Sequence, residues 1–397
     1  MVLRKNHEQI YYYAFYFDTF FCSAAENNFN HPGIFVSLKQ LQYVKDNLSR
    51  EPWKSAYGKV LQDPLADKYY EPTPWSTVEC GSYSNPNNGC TDEVKDAQAA
   101  YTQALLWRLS GETVYAENVR KILNAWANTL TGGHTNSNGP LQASWSATLF
   151  TRAAEIVKYT YADWPQSEKN KVTKLFSEQY YPDISRMFSG SYACYNKNWH
   201  ASAIEAMLNI TVFNKNTDLF NGAIKKWQSL VPSYIYLSSD GSRPKNASWC
   251  SYNDSQINAH WNNPNSYVDG LTQESCRDFE HTAYGLAAII NTAETAKLQG
   301  IDLYQDNSSN SQMRIIKAME LHSAYQTAAL PDKLCKNYDG YKLNTKGTFE
   351  IGFNQYSIRQ GLDLPRTSEF LVSTRPTKGN FHYLWETLTH GLVGDRN

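Results

Sequence analysis

The chain has 397 residues, 41% of them hydrophobic and only 19% charged, with a formal net charge of −1. Such a composition can bury a large core and excludes a disordered or fibrous protein. It leaves no long-range field for drawing in a polyanion and no Lys/Arg-rich tract for nucleic acid, so an acidic ligand must be held by a local basic cluster.

Arg4 and Lys5 precede an aromatic-rich stretch from Tyr11 to Phe21, and Cys22 is followed by the small residues Ala24 and Ala25. Residues 1–25 therefore read as the signal peptide of a secreted protein, and residues 26–397 as one domain. Losing that leader removes one of seven cysteines and leaves Cys80, Cys90, Cys194, Cys250, Cys276 and Cys335, enough for three disulfides. Cys80 and Cys90 bracket the loop "CGSYSNPNNGC" and are expected to pair, whereas the other four cannot be paired from sequence. Glycosylation sequons begin at Asn47, Asn209, Asn246, Asn253 and Asn307, in accord with a secretory route in a eukaryotic host, although Asn209 sits inside an apolar helical pattern. No uncharged apolar run is long enough to span a membrane.

"HPGIF", from His31 to Phe35, makes a turn, and Ser37 caps a helix over "LKQLQYVKDNL". Residues 69–93 are rich in Pro, Gly, Asn and Ser and read as a long surface loop. From about 95 to 325 the helical period dominates, with Tyr101, Leu105 and Leu109 on one stripe and Val119, Ile122, Leu123 and Trp126 on the next. Further helices are expected over 141–161, 168–186, 201–213, 218–231, 280–298 and 311–327. Medium-length helices joined by short breaks, without alternating strands or a sustained heptad, imply an all-α core of stacked hairpins. From about 336 the period is lost, so this less regular tail wraps the body or adds short strands.

Two constellations can carry chemistry. In "YNKNWHASAIEAM", Asn198, Trp199 and His200 stand at the first turn of a helix, where an amide and an imidazole can face a cleft beside free backbone N–H groups; equally, Asn198 can cap the helix and His200 pack inside it. In "NAHWNNPNSYVDGLTQESCRDFEHTAYGL", His260 lies in an Asn-rich loop and Arg277, His281 and Tyr284 follow at i, i+4 and i+7, one face if the helix already runs at Arg277. No Walker, G-x-G-x-x-G or H-E-x-x-H motif is present. Glycoside hydrolysis needs paired carboxylates, and neither Glu205 with Glu274 nor Asp269 with Glu274 is singled out by spacing.

Amide, imidazole, guanidinium and phenol together suit β-elimination on a uronate. The C5 proton is poorly acidic because the adjacent carboxylate repels further charge; neutralising that carboxylate stabilises the enolate-like intermediate. A Tyr phenolate held by a cation can take the C5 proton and, as phenol, return a proton to the leaving O4. One Tyr serves both steps only where proton and leaving group share a side of the ring, as in β-D-mannuronate and β-D-glucuronate.

The stretches "HPGIF", "YAENVRKILNAWANTL", "NWHASAIEAM", "DGLTQESCRDFEHTAYGL", "AETAKLQGIDLY" and "STRPTKGNF" resemble the alginate-lyase superfamily, which cleaves alginate or β-1,4-glucuronan. The resemblance implies an (α/α) toroid or incomplete barrel, an acidic polysaccharide substrate and no membrane partner. It implies that Asn198 neutralises the uronate carboxylate, that Arg277 is the active-site arginine and that Tyr284 is the catalytic tyrosine. In alginate lyases a His follows the Asn directly, whereas here Trp199 intervenes before His200. His260 is then the preferred catalytic histidine, in the manner of glucuronan-cleaving relatives. His281 either orients Arg277 or substrate or transfers a proton, and Trp145, Arg152, Tyr195, Trp199, His200 and Tyr267 are candidates for holding neighbouring sugars. A base at His260 and an acid at Tyr284 on opposite faces would also admit α-L-guluronate. No metal or cofactor is expected, because protein groups supply the neutralising charge. A helical hydrolase and a non-catalytic polysaccharide-binding protein are the alternatives.

Overall fold

The computed structural model describes residues 29–327, 334–335 and 349–394; the expected signal peptide with Cys22 lies outside them. Ser37 accepts from the Gln40 N–H and starts α1 (Leu38–Asp46), as its sequence position predicts, and α2 (Trp53–Leu61) follows. The 69–93 loop is less open than its composition suggests. It carries β1 (Val78–Cys80) and β2 (Asn87–Asn88), paired antiparallel, with the Cys80–Cys90 disulfide closing the hairpin. A parallel pairing of β1 with β3 (His134–Thr135) staples this hairpin to a later connection.

Four helical hairpins form the body: α3 (Cys90–Ser110) with α4 (Thr113–Thr129), α5 (Gly139–Thr160) with α6 (Gln166–Lys174) and α7 (Tyr181–Ser185), α8 (Lys197–Phe213) with α9 (Thr217–Tyr234), and α11 with α12. Between the last two hairpins lies the short α10 (Asp254–His260), followed by α11 (Phe279–Leu298) and α12 (Ser311–Thr327). The expected helix over 168–186 is broken by a π-helical turn at Leu175–Tyr180, followed by Pro182. Helices α3, α5, α8 and α11 pack side by side as an inner wall, and α4 and α9 lie outside them with a single apolar stripe. The inner helices are buried nearly all round, because both faces meet protein.

The tail completes the ring. α13 (Glu350–Phe353) packs on α11 and on α15 (Glu386–His390), α15 reaches α1 and α2, and α14 (Pro365–Thr374) covers α12. Its short pieces are held by buried polar anchors, among them Arg359 on Glu294 at 2.7 Å and Gln40 Nε2 on the Thr389 carbonyl at 2.7 Å. The result is an all-α (α/α) toroid, and among the described residues the tail makes helices rather than strands. Two further disulfides, Cys194–Cys250 and Cys276–Cys335, tie the loops at one end of the ring.

Candidate active site

The site assembles at the start of α8. Asn196 is its cap and makes no side-chain capping bond, so the first N–H groups need other acceptors. Gln273 Oε1 accepts from Lys197 N at 3.0 Å and Glu274 Oε2 from Asn198 N at 3.2 Å. The helix-end donors offered by the sequence to a ligand are therefore taken by two buried side chains from the turn before α11. These residues do more than cap. Gln273 Nε2 donates to the His260 carbonyl, while Glu274 also accepts from Asn198 Nδ2, from Arg277 Nη1 at 3.0 Å and from Tyr234 Oη at 3.3 Å. Burial pushes the Glu274 carboxyl above its ordinary value, against the pull of Arg277 and His281.

In front of this frame is a cavity of about 370 Å³ lined by Cys194, Tyr195, Asn196, Trp199, His260 and Arg277. Its wall is aromatic, with Tyr195 and Trp199 5.2 Å apart, and none of its lining residues is a carboxylate. Arg277 is partly exposed and held from behind by Glu274 and by Asp278 at 3.7 Å, which aims the guanidinium while leaving N–H groups for a ligand. His260 Nε2 is buried without a hydrogen-bond partner among the described residues. Burial and then the nearby Lys197 charge hold its pKa down to about 3, so the ring is a neutral imidazole. Lys197, itself buried, is pushed down to about 8 by burial, with Glu274 opposing. The Tyr252 ring packs at a tilt 5.0 Å from His260, and its hydroxyl donates to the Cys194 carbonyl at 2.8 Å, beside the Cys194–Cys250 bridge.

The two histidines are thus separated by their surroundings. His200 is wholly buried, bonded through Nε2 to the Met187 carbonyl at 3.0 Å and packed by Phe188 and Trp249, so it contacts the core and not a sugar. Helix α11 begins only at Phe279, with Asp278 as cap accepting from His281 N at 2.8 Å and His281 Nδ1 at 2.7 Å. Arg277 therefore precedes the helix and does not share a helical face with His281 and Tyr284. Its guanidinium is linked to His281 through Asp278 instead.

Tyr284 is 7% exposed, among Trp145 at 6.1 Å, Phe381 at 5.8 Å and Tyr383 at 5.8 Å. Its hydroxyl donates to Glu280 at 2.9 Å, and burial together with that carboxylate raises its pKa well above the ordinary phenol value. It is a phenol, with a carboxylate rather than a cation beside it. The His281 ring lies 6.0 Å away, edge-on.

Two sugar-binding candidates are placed elsewhere. Arg152 is fully buried, paired with Glu205, donating to the His382 carbonyl at 3.2 Å and lying over the Phe35 ring at 3.6 Å; it is a core anchor. Tyr267 lines a separate cavity with Tyr236 and Arg243. Glu205 also bonds His382, whose Nε2 meets Ser202 Oγ at 2.8 Å, but all three are buried and this Ser-His-Glu chain has no route to substrate. Asn209 is likewise buried within α8, so its sequon presents no amide at the surface, whereas Asn246, Asn253 and Asn307 are exposed.

A family model described as Alginate lyase matches residues 61–331. The chain belongs to the alginate lyase family. It is a polysaccharide lyase of alginate-type uronate polymers. The fold agrees with solved structures. A histidine-to-alanine variant of alginate lyase A1-III complexed with tetrasaccharide superposes with a TM-score of 0.57 at 17% identity, covering 90% of this chain and 94% of that one. Alginate lyase A1-III from Sphingomonas species A1 gives 0.55 at 17% identity, covering 91% and 99%. An alginate lyase from Bacteroides ovatus gives 0.56 at 14% identity, covering 91% and 99%. Among curated proteins none matches the chain by sequence. At these identities the superpositions speak to the toroid alone.

Sequence reasoning missed Gln273 and Lys197, considered Glu274 only as half of a carboxylate pair, and did not foresee Phe381 and Tyr383 against Tyr284. Gln273 and Glu274 were visible only as part of "LTQESCRD"; their role depends on α8 starting beside that turn.

Proposed function

We propose that this lyase cleaves 1,4-linked uronate chains with His260 as base and Tyr284 as acid. The observation that carries the reading is that an uncharged imidazole with a free Nε2 and the Arg277 guanidinium line one aromatic-walled cavity with no carboxylate in its lining. Arg277 binds the uronate carboxylate and offsets the charge that grows on it as His260 Nε2 takes the C5 proton. Electrons of the broken C–H bond form the C4–C5 double bond, the C4–O4 bond breaks, and the Tyr284 phenol gives its proton to O4. The raised pKa of Tyr284 suits a donor better than an acceptor. Asn198 acts behind Arg277: its side-chain amide donates to the same Glu274 carboxylate that holds the guanidinium.

A base at His260 and an acid at Tyr284 on opposite faces of the ring suit anti elimination at α-L-guluronate; on one face they suit syn elimination at β-D-mannuronate or β-D-glucuronate. Hydrolysis is disfavoured because Glu205 is tied to Arg152 and His382, and Glu274 to Asn198 and Arg277. Closure of all six described cysteines into disulfides supports secretion after loss of the leader, and among the described residues no helix is long and apolar enough to cross a membrane.

The test is incubation with poly-mannuronate, poly-guluronate, glucuronan and hyaluronan. Unsaturated 4,5-uronate ends, followed by their ultraviolet absorbance, are expected on at least one polymer and are lost in His260→Ala. New reducing ends without that absorbance would overturn the lyase mechanism.

A further inference from the structure

The second cavity, of about 470 Å³, lies on the other side of α10 from the first, with Tyr236, Arg243, Asn258, Ser266 and Tyr267 in its lining. Asn258 faces it while His260 faces the catalytic cavity, and residues two apart on a helix point to different sides. Within this cavity Arg243 stands out chemically. Its guanidinium lies over the Tyr267 ring at 5.7 Å and has no acidic partner among the described residues; its sole hydrogen bond is a long one of 3.4 Å to the Ser242 carbonyl. A cation–π contact at this distance leaves the guanidinium N–H groups available to a planar anion.

The loop that carries Arg243 is pinned. Arg314 makes a two-pronged pair with Asp240 at 2.5 and 2.6 Å, Tyr236 Oη donates to the Gly241 carbonyl at 2.7 Å, and Ser238 N donates to Asp269 at 2.6 Å. Tyr267 is fixed by Tyr236 at 5.3 Å and Trp261 at 5.7 Å. The cavity therefore combines a cation with no acidic partner among the described residues with amide and hydroxyl groups and tyrosine rings, the complement of a sugar bearing one carboxylate.

We propose that this cavity is a second uronate-binding site, in which Arg243 takes the carboxylate and Tyr267 and Asn258 the sugar ring and its hydroxyls. It rests on the reading of the chain as a uronate lyase, and it gives a protein of net charge −1 a second local hold on a polyanion.

The test is calorimetric titration of the full chain with saturated tetra-uronates prepared from poly-mannuronate and from poly-guluronate, under conditions where turnover is blocked by His260→Ala. Two sites are expected, and adding Arg243→Ala should leave one, weakening the lost site by about tenfold or more, the scale of a charge-assisted pair. Arg243→Lys, which keeps the charge but not the fork, should recover only part of that affinity. On otherwise wild-type enzyme, Arg243→Ala should raise KM for long polymer several-fold while leaving kcat on a trisaccharide unchanged. Unaltered stoichiometry and affinity in Arg243→Ala, or equal binding of inorganic sulfate or of carboxyl-reduced oligosaccharide at that site, would overturn the proposal. Two uronate sites without any turnover in the wild type would uphold this site while sinking the catalytic reading, so the two fail separately.

Discussion

Replacing Gln273 tests whether the frame behind the cavity sets catalysis. Gln273→Met keeps the volume but removes the bond from Lys197 N and the bond to the His260 carbonyl. A neutral hydrogen bond contributes about 1 kcal/mol net, and each buried group left unpaired costs roughly 1–3 kcal/mol. With two bonds lost in a fully buried position, destabilisation of about 2–4 kcal/mol is expected. The kinetic effect should be larger in proportion, because His260 hangs on this amide at the end of a seven-residue helix. A misplacement of about 1 Å at a reacting group costs roughly a hundredfold in rate. The assay is initial rate by unsaturated-uronate absorbance beside a thermal melt, and the expected pattern is a fall in kcat with KM little changed. Gln273→Glu separates the two ends. It keeps an acceptor for Lys197 N but sets a second acceptor against the His260 carbonyl, so it should lose rate with less loss of stability. A Gln273→Met enzyme that melts early yet turns over at the wild-type kcat would refute positioning and leave only a structural role.

Tyr284→Phe should cut kcat by about 10²–10⁴-fold, as for loss of a general acid, while substrate binding measured by titration persists. His200→Gln should leave KM nearly unchanged and show its effect in the melt, since its ring contacts only the core; a large KM change would place it in the site after all. Arg152→Met should destabilise by about 3–5 kcal/mol, because it removes the buried cation facing Glu205 and leaves that carboxylate only His382 and Asn291, with no separate defect in substrate affinity of the folded fraction. For pH, His200 and His260 are held down to about 3 and His322 to about 4 from an ordinary 6.5, so the unfolded chain binds protons that the folded one refuses. Their contribution is fully present above 6.5 and is lost as pH falls toward those values; His134, raised to about 9, contributes the opposite way, lost as pH rises through 9. Denaturant midpoints should therefore drop between pH 6.5 and 4. The acid limb of kcat/KM should show no titration near 6.5, because His260 is already neutral there.

How much of this was legible in the chain differs from element to element. Helices α5, α11 and α12 match their expected spans to within about two residues, because burial between layers imposes a period that composition records directly. The 168–186 segment reads as one helix because the apolar period survives a π-turn, which shifts the register without breaking the pattern. The closing helices α13 and α15 are four and five residues long, too short to show a period, and are held by tertiary contacts such as Arg375 on Glu350.

The same division runs through the site. Sequence alone determined the all-α core of stacked hairpins and the Cys80–Cys90 bridge, which rest on local periodicity and a short loop, while its resemblance to the alginate-lyase superfamily supplied the family and the toroid. It could not choose between His200 and His260, detect the frame of Gln273 and Glu274, or tell that Arg152 is a core anchor. Those depend on which side chains a folded chain brings together across tens of residues, and on how much water each loses there. A histidine's role follows from that placement: His200 turns inward to Met187, while His260 is held by Gln273 at a cavity it shares with Arg277.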